Sequence, residues 1–230
     1  MGSARRTRLP ARAVQRRQQF QNFLTGGFIR VYERSQKFAH KRIAHHVMEK
    51  YLIAVIVGSL RRDSFNRKLA NAVAEFAPPE FSFKQVQIGD LPLYNQDDDT
   101  NQAASVKRLK KEINNAKGLL FVTPEYNRSI PGVLKNAIDH ASRPYGQSVW
   151  TGKPAGVIGV SPSATGTAMA QQHLRNILAT LDVPALGQPE AFIQARNGLF
   201  DVAGNIDAAS REFLQGWMKH YAAWVIQHAG

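Results

Sequence analysis

The spacing of apolar residues changes repeatedly between two periods from about residue 51 onward. Residues 51–57 form an uninterrupted apolar run, which is typical of a strand buried on both faces of a parallel sheet. Residues 64–76 then place apolar side chains at helical spacing, and Pro78-Pro79 ends that helix. The repeated alternation predicts further strands at 81–88, 118–123, 154–160 and about 185–193, and further helices at about 103–116, 131–142, 167–181 and 207–228.

Five predicted strands separated by helices indicate one doubly wound α/β domain, with a parallel sheet and helices on both of its faces. Because crossovers between parallel strands are right-handed, few topologies are possible. The flavodoxin-like strand order 2-1-3-4-5 fits the number of elements and places a topological switch point between the first and third strands. We therefore expect a ligand at the carboxyl ends of those two strands.

Two loops follow these strand ends. The first strand runs into Gly58-Ser59-Leu60-Arg61-Arg62-Asp63-Ser64-Phe65-Asn66, and the third strand runs into Thr123-Pro124-Glu125-Tyr126-Asn127-Arg128-Ser129-Ile130-Pro131-Gly132. A Gly-Ser turn that leads directly into a helix surrounds one point with backbone N–H groups, small hydroxyls and a cation, which suits a phosphate. The second loop faces the same crevice and can hold a ring.

Several other α/β chemistries require residues that these loops lack. A Walker A loop needs Gly-Lys-Ser/Thr, whereas Gly58 is followed by Arg61-Arg62-Asp63. The further glycines of a dinucleotide fingerprint are absent, and the segment 159–163 lacks the last glycine of a nucleophile elbow. A phospho-accepting receiver domain would need an aspartate where this chain has Thr123-Pro124.

The positive charge is concentrated in one segment. Residues 1–47 carry eleven Lys or Arg and one acid, Glu33, so subtracting their +10 from the +13 of the 230-residue chain leaves +3 for residues 48–230. A nucleic-acid partner is therefore expected, if at all, only through residues 1–47. That segment is open to three interpretations, namely a flexible basic arm, a transit-like leader, or upstream sequence joined by a misplaced start. We favour a misplaced start or a dispensable arm, because Met48 directly precedes the first strand.

Cysteine is absent from the sequence. This excludes disulfides and thiolate metal sites, and we expect no bound metal. No apolar stretch is long enough for a signal sequence or a membrane span. We expect a cytoplasmic protein that does not associate with membranes.

The two loops together resemble those of the NAD(P)H-dependent FMN reductase family, which includes quinone, azo-dye and chromate reductases. The residues that carry the resemblance are Gly58 to Arg61, Ser64 to Asn66, and Pro124 to Asp139. The resemblance extends from Tyr51 to about the C-terminus. It implies a flavodoxin-like fold, noncovalently bound FMN, NADPH or NADH as co-substrate, a small-molecule acceptor, and assembly into a homodimer or homotetramer.

Carried over by position, the resemblance assigns the FMN phosphate to Ser59, Arg61, Ser64 and Asn66, and it counts Phe65 among the cofactor-binding residues. Each residue also has a plainer interpretation. Ser64 can be a helix N-cap, Asn66 a first-turn residue, and Arg61 a solvated charge. Their clustering after a buried strand favours the phosphate.

The resemblance also implies that Pro124, Glu125, Tyr126 and Asn127 line the isoalloxazine ring, mainly through backbone groups. It further implies that a third loop, residues 161–167, lies near the pyrimidine end of the ring, with Ser161 among the cofactor-binding residues. Backbone donors at these positions would stabilise the charge that develops on a reduced flavin. The alternative is that the prolines only shape a loop and start a helix. That alternative explains Pro124 but not the three residues after it.

No side chain in these loops has the setting of a dedicated nucleophile or general base, so no catalytic residue is assigned. This is consistent with hydride transfer, in which the cofactor supplies the chemistry. We expect NAD(P)H to reduce FMN and leave before an acceptor is reduced at the same face. The alternative is a noncatalytic flavodoxin-type electron carrier. His140, His173 and the three tryptophans, Trp150, Trp217 and Trp224, are expected to pack in the core or at a subunit interface.

Overall fold

Five parallel strands form one sheet in the part of the chain that the computed structural model describes, residues 51–229. Their order is β2-β1-β3-β4-β5, which confirms the predicted topology. The neighbouring strands β1 and β3 pair in register from Ile53 with Gly118 to Val57 with Val122. The strands are β1 (Tyr51–Val57), β2 (Phe81–Gln85), β3 (Gly118–Val122), β4 (Ala155–Ser161) and β5 (Phe192–Gln194).

Five α-helices connect or follow these strands, and their predicted positions agree with the structure to within about two residues at each end. They are α1 (Phe65–Ala74), α2 (Ala104–Asn114), α3 (Gly132–Ala141), α4 (Ala168–Thr180) and α5 (Ala208–His228). The predictions began one residue early because they included the cap residues. Ser64 is the N-cap of α1, Pro131 precedes α3 as its N-cap, and Asp207 accepts hydrogen bonds from the first turn of α5.

The helices cover both faces of the sheet, as predicted. Side chains alternate along β1, so Ile53 and Val55 pack on one face while Ala54 and Ile56 pack on the other. The first face lies in a core with residues of α1 and α5, and the second with residues of α2, α3 and α4. Each face therefore has its own apolar core, and only the strand ends are left for a ligand.

Aromatic residues of α5 anchor that helix to the sheet. The hydroxyl of Tyr221 donates to the carbonyl of Leu119 at 2.9 Å, and the rings of Tyr221 and Trp217 stack with centroids 5.4 Å apart. Complete burial raises the pKa of Tyr221 well above its usual value, so the hydroxyl keeps its proton for this bond. Trp150 is also fully buried, whereas Trp224 is half-buried and donates to the carbonyl of Pro184.

Two strands are shorter than predicted. β2 ends at Gln85, although Val86 and Ile88 beyond it are buried. The N–H of Val86 still donates to the carbonyl of Val55 in β1 at 2.9 Å, so the burial continues beyond the last residue that pairs. β5 begins only at Phe192, because Pro189 interrupts the predicted strand and cannot donate to a ladder. A short 3₁₀ helix, Gln96–Asp98, lies between β2 and α2.

Within residues 51–229, no helix is both long enough and apolar enough to cross a membrane. In the same range, no three or more His, Cys, Asp and Glu side chains are grouped as metal ligands. The predictions for the basic segment 1–47 lie outside the described residues.

Gly156 and Gly216 provide a pair of opposite predictions for stability. A Cβ atom at Gly156 would lie 2.7 Å from the Tyr221 ring and 2.8 Å from the Trp217 ring, whereas nothing lies within 4 Å of one at Gly216. We expect Gly156→Ala to lower the free energy of unfolding by about 1–3 kcal/mol through overpacking. Gly216→Ala, within helix α5, should raise it by about 0.5–1 kcal/mol. Urea unfolding measures both, and an unchanged midpoint for Gly156→Ala would contradict the packing described for α5.

Candidate functional site

The carboxyl ends of β1 and β3 bring the two predicted loops into contact. The N–H of Gly58 donates to the carbonyl of Val122 at 2.9 Å. A Cβ atom at Gly58 would lie 3.2 Å from the Thr123 hydroxyl and 3.3 Å from Pro124, so a larger residue here would push the loops apart. We call residues 58–64 the phosphate loop and residues 123–129 the ring loop.

The phosphate loop ends in a helix terminus with unpaired donors. Ser64 caps α1 by accepting a hydrogen bond from the N–H of Arg67 at 3.3 Å, while the N–H groups of Phe65 and Asn66 have no partner among residues 51–229. The hydroxyl of Ser59, a residue only 4% exposed, also makes no hydrogen bond within this described range. Unpaired N–H groups at the positive end of a helix are suited to an anion.

Arg61 adds a positive charge to this loop. Its side chain is exposed, and it forms no ion pair with a carboxylate among the described residues. A guanidinium without a partner can grip a phosphate through two hydrogen bonds. The residues present therefore fit the phosphomonoester of FMN.

Asn66 has a structural partner that the sequence did not reveal. Its Nδ2 donates to the carbonyl of Val160 at 2.8 Å, and the N–H of Val160 donates to its Oδ1 at 3.0 Å. The residue is 3% exposed. The side-chain amide thus holds α1 to β4. Asn66 can therefore contribute only its backbone N–H as a donor at the phosphate loop.

The ring loop contains a tight turn. Tyr126 and Ser129 exchange backbone hydrogen bonds of 2.9 and 3.0 Å, and the two residues between them, Asn127 and Arg128, have φ values of 52° and 65°. Two successive positive φ values are those of a type I′ turn. The backbone N–H groups of Glu125 and Asn127 make no hydrogen bond to any of the described residues. The loop therefore has the backbone donors that were expected beside a flavin ring.

The side chain of Glu125 points to α4. Its Oε2 accepts hydrogen bonds from the N–H of Met169 at 3.1 Å and of Ala170 at 3.2 Å. The sequence did not indicate this contact, because the partners are more than 40 residues apart. No local pattern such as a capping box joins them.

The third predicted loop begins at the end of β4. Ser161 is the last residue of that strand, and its hydroxyl donates to the carbonyl of Gly166. At Gly159, a Cβ atom would lie 2.1 Å from the carbonyl oxygen of Thr123 and 2.3 Å from the hydroxyl of Thr167. Only glycine allows the ring loop and the start of α4 to approach this closely. All three predicted loops consequently lie along one edge of the sheet.

A cleft of about 390 Å³ lies beside the phosphate loop, over the ends of β1 and β2. Ser59 is the predicted site residue that lines it, together with Leu60, Arg67 and the chain from Gln85 to Gly89. No residue of the ring loop lines this cleft. The assignment of the site therefore rests on the unpaired donors of the two loops rather than on the cleft.

The two histidines considered in the sequence serve as contacts within the fold. His140 is 5% exposed, and its Nε2 lies 2.9 Å from the carbonyl oxygen of Pro92. His173 is exposed on α4, with its Nδ1 at 3.0 Å from the hydroxyl of Ser129. The interpretation of His140 as a packing residue agrees with this burial.

Comparisons with known proteins indicate the family. The sequence model for NADPH-dependent FMN reductases matches residues 51–198. A 2-hydroxy-1,4-benzoquinone reductase from a Burkholderia species is 56% identical over 174 residues, which cover 75% of this chain and 95% of that protein. A quinone reductase from Pseudomonas putida is 49% identical over 176 residues, covering 76% of this chain and 95% of that protein.

The fold is similar to that of a solved flavoenzyme. FerB, an NAD(P)H:(acceptor) oxidoreductase from Paracoccus denitrificans, superposes with a TM-score of 0.74 at 44% sequence identity. The match covers 77% of this chain and 98% of FerB.

The contact between Asn66 and Val160 predicts a loss of stability. Asn66→Ala leaves two buried backbone groups of Val160 without partners, and we expect the free energy of unfolding to fall by about 2–4 kcal/mol. The matched control is Asn176→Ala, because Asn176 is exposed on α4 and its side chain makes no hydrogen bond in the part of the chain that the structure describes. The control should change stability by no more than about 0.5 kcal/mol. Equal urea midpoints for the two variants would contradict the role given to Asn66.

Proposed function

We propose that this chain, which belongs to the NADPH-dependent FMN reductase family, passes hydride from NAD(P)H by way of bound FMN to quinones or other small acceptors. The predictions of this family, of an oxidoreductase, and of FMN with NAD(P)H are confirmed by the matches. The individual site residues, the acceptor and the assembly are proposals of our own.

One observation carries the proposal. Unpaired backbone donors of the phosphate loop and the ring loop lie along the same edge of the sheet, and the loops contact each other through Gly58. A ligand with an anionic end and a ring with hydrogen-bond acceptors satisfies both sets of donors. FMN is such a ligand.

The phosphate loop binds the anionic end. We assign the phosphate to the hydroxyls of Ser59 and Ser64, the guanidinium of Arg61, and the N–H groups of Phe65 and Asn66. Their positive potential comes from one full charge and from the helix terminus, and both favour a dianion. The buried serines exclude bulk water from one side of the phosphate.

The ring loop orients the flavin. Tyr126 supplies exposed apolar surface, and the N–H groups of Glu125 and Asn127 supply donors. Pro124, which is buried, shapes the loop beside Gly58, and Ser161 lies at the neighbouring strand end. FMN, when bound, accepts and donates the hydride. The protein's part is to hold the ring with its donors in place, which lowers the reorganisation needed as charge develops.

Quinones are the proposed acceptors, with flavins, azo compounds and chromate as further candidates. The support is the set of relatives, among which a hydroxybenzoquinone reductase and a quinone reductase cover three quarters of this chain. Tyr126, at the tip of the ring loop, is 47% exposed and offers an aromatic surface beside the proposed ring site. A planar acceptor can pack against such a surface.

We also propose a homodimer or homotetramer in the cytoplasm, with residues 48–230 as the reductase domain. Support for assembly comes from large apolar side chains left exposed, including Leu93 at 87% and Tyr145 at 90% exposure. Support for the location is that a reductase of this kind needs a continuous supply of NAD(P)H.

Absorbance spectroscopy of the full chain tests the function. The purified protein is loaded with FMN, freed of excess cofactor and mixed with NADPH without oxygen. We expect the flavin bands to bleach, and 2-hydroxy-1,4-benzoquinone to restore them. Failure to retain FMN would overturn the proposed site. Retention of FMN without bleaching by NADPH or NADH would favour a flavodoxin-type electron carrier.

Arg61 tests the phosphate assignment. Arg61→Ala removes the only full charge assigned to the phosphate, and we expect FMN binding to weaken about 10- to 100-fold. Riboflavin, which has no phosphate, should bind both proteins equally. Lys219→Ala removes the same charge from an exposed position on α5 and should leave both affinities unchanged. Equal loss of FMN and riboflavin binding in Arg61→Ala would contradict the assignment.

A further inference from the structure

The residues at the start of helix α4 do not supply hydrogen-bond partners for all the N–H groups of its first turn. The N-cap residue Thr167 makes no capping bond, because its hydroxyl accepts a hydrogen bond from Nε2 of Gln171 at 2.8 Å. The N–H of Ala168 is paired with the carbonyl of Thr165 at 3.2 Å, and that of Gln171 with the carbonyl of Thr167 at 2.9 Å. The two other N–H groups of the first turn receive no partner from these residues. A helix end needs partners for such groups.

Glu125 supplies these partners from a different strand end. One oxygen of its carboxylate accepts from both Met169 and Ala170, at 3.1 and 3.2 Å. A carboxylate is well matched to this position, because the N-terminus of a helix is positive and charge-assisted hydrogen bonds are stronger than neutral ones. The first turn of α4 is thus completed by the ring loop.

Two more contacts join the same segments. The hydroxyl of Ser129 lies 3.0 Å from Nδ1 of His173, and Nη1 of Arg128 lies 3.7 Å from the sulfur of Met169. The ring loop is therefore held to α4 at both ends of its turn. Support of this kind is needed, because a backbone with two successive positive φ values is not held by local preferences alone.

We propose that Glu125 is a positioning residue for the flavin ring. Its carboxylate, by capping α4, holds the ring loop in the conformation that presents the N–H groups of Glu125 and Asn127 to the isoalloxazine. This inference rests on the proposed function. It adds a side-chain role to the backbone role that the family resemblance implied for Glu125, because the carboxylate acts on the helix and not on the ring.

Asp207 provides a matched control for the loss of a cap. Its Oδ1 accepts hydrogen bonds from Ala209 and Ser210, each at 3.1 Å, at the start of α5. Asp207→Ala therefore removes a carboxylate cap on two backbone donors outside the ring loop, together with the 2.9 Å ion pair between Asp207 and Arg196. Glu125→Gln keeps an oxygen acceptor at the α4 cap and removes only the charge.

The experiment compares wild type, Glu125→Ala, Glu125→Gln and Asp207→Ala as full chains. Dissociation constants are measured for FMN and riboflavin, and amide hydrogen exchange is followed at Met169 and Ala170 without flavin. We expect Glu125→Ala to weaken both flavins by the same factor, about five- to tenfold, and to accelerate exchange at both amides. Glu125→Gln should recover most of the affinity, and Asp207→Ala should lower the unfolding midpoint without changing either constant.

Unchanged flavin affinities in Glu125→Ala, together with faster exchange at the two amides, would overturn the positioning role and leave a structural cap. Weakened binding of FMN alone would also overturn it, because the defect would then lie at the phosphate. A wild-type protein that binds no FMN would instead overturn the proposed function. The two failures are therefore distinguishable.

Discussion

The carboxyl ends of β1, β3 and β4 approach one another so closely that a side chain cannot be placed at Gly159 without a collision. The carbonyl of Thr123 and the hydroxyl of Thr167 occupy the space that a Cβ atom would need. Gly58 allows a similar, less extreme approach between the phosphate loop and Pro124. Because of these contacts, three loops that are distant in sequence form one continuous edge, and every part of the proposed site depends on that edge.

Helix termini supply much of the electrostatics at this edge. The start of α1 leaves two N–H groups unpaired, whereas the start of α4 has all its first-turn groups paired by Thr165, Thr167 and Glu125. The first terminus is thus available to an anionic ligand, and the second is already occupied by a carboxylate of the protein. In the proposed site, this difference assigns two similar helix ends on one sheet edge to different purposes, one to binding and one to positioning.

The sequence was most informative where a signal is local. The apolar run of β1 and the amphipathic pattern of the helices involve residues within a few positions of each other, and they were predicted correctly. The cap at Ser64, also a local feature, was the plainer alternative to the phosphate role. The end of β2 and the start of β5 were wrong. In both cases buried apolar residues extend beyond the bounds of the strand, and periodicity cannot separate burial from strand pairing.

By itself, the sequence determined the doubly wound fold, its strand order and the family. Hydrophobic periodicity and the two loop motifs involve residues that are close together in the sequence, so they can be recognised without the tertiary structure. The tertiary structure alone decided the partners of the polar side chains. Asn66 was expected at a phosphate, and its amide is bound to Val160 of β4. Glu125 was expected to line the ring, and its carboxylate caps α4. A side chain can bind whatever donor or acceptor the fold brings near it, and partners separated by 44 to 94 residues meet only once the sheet has formed.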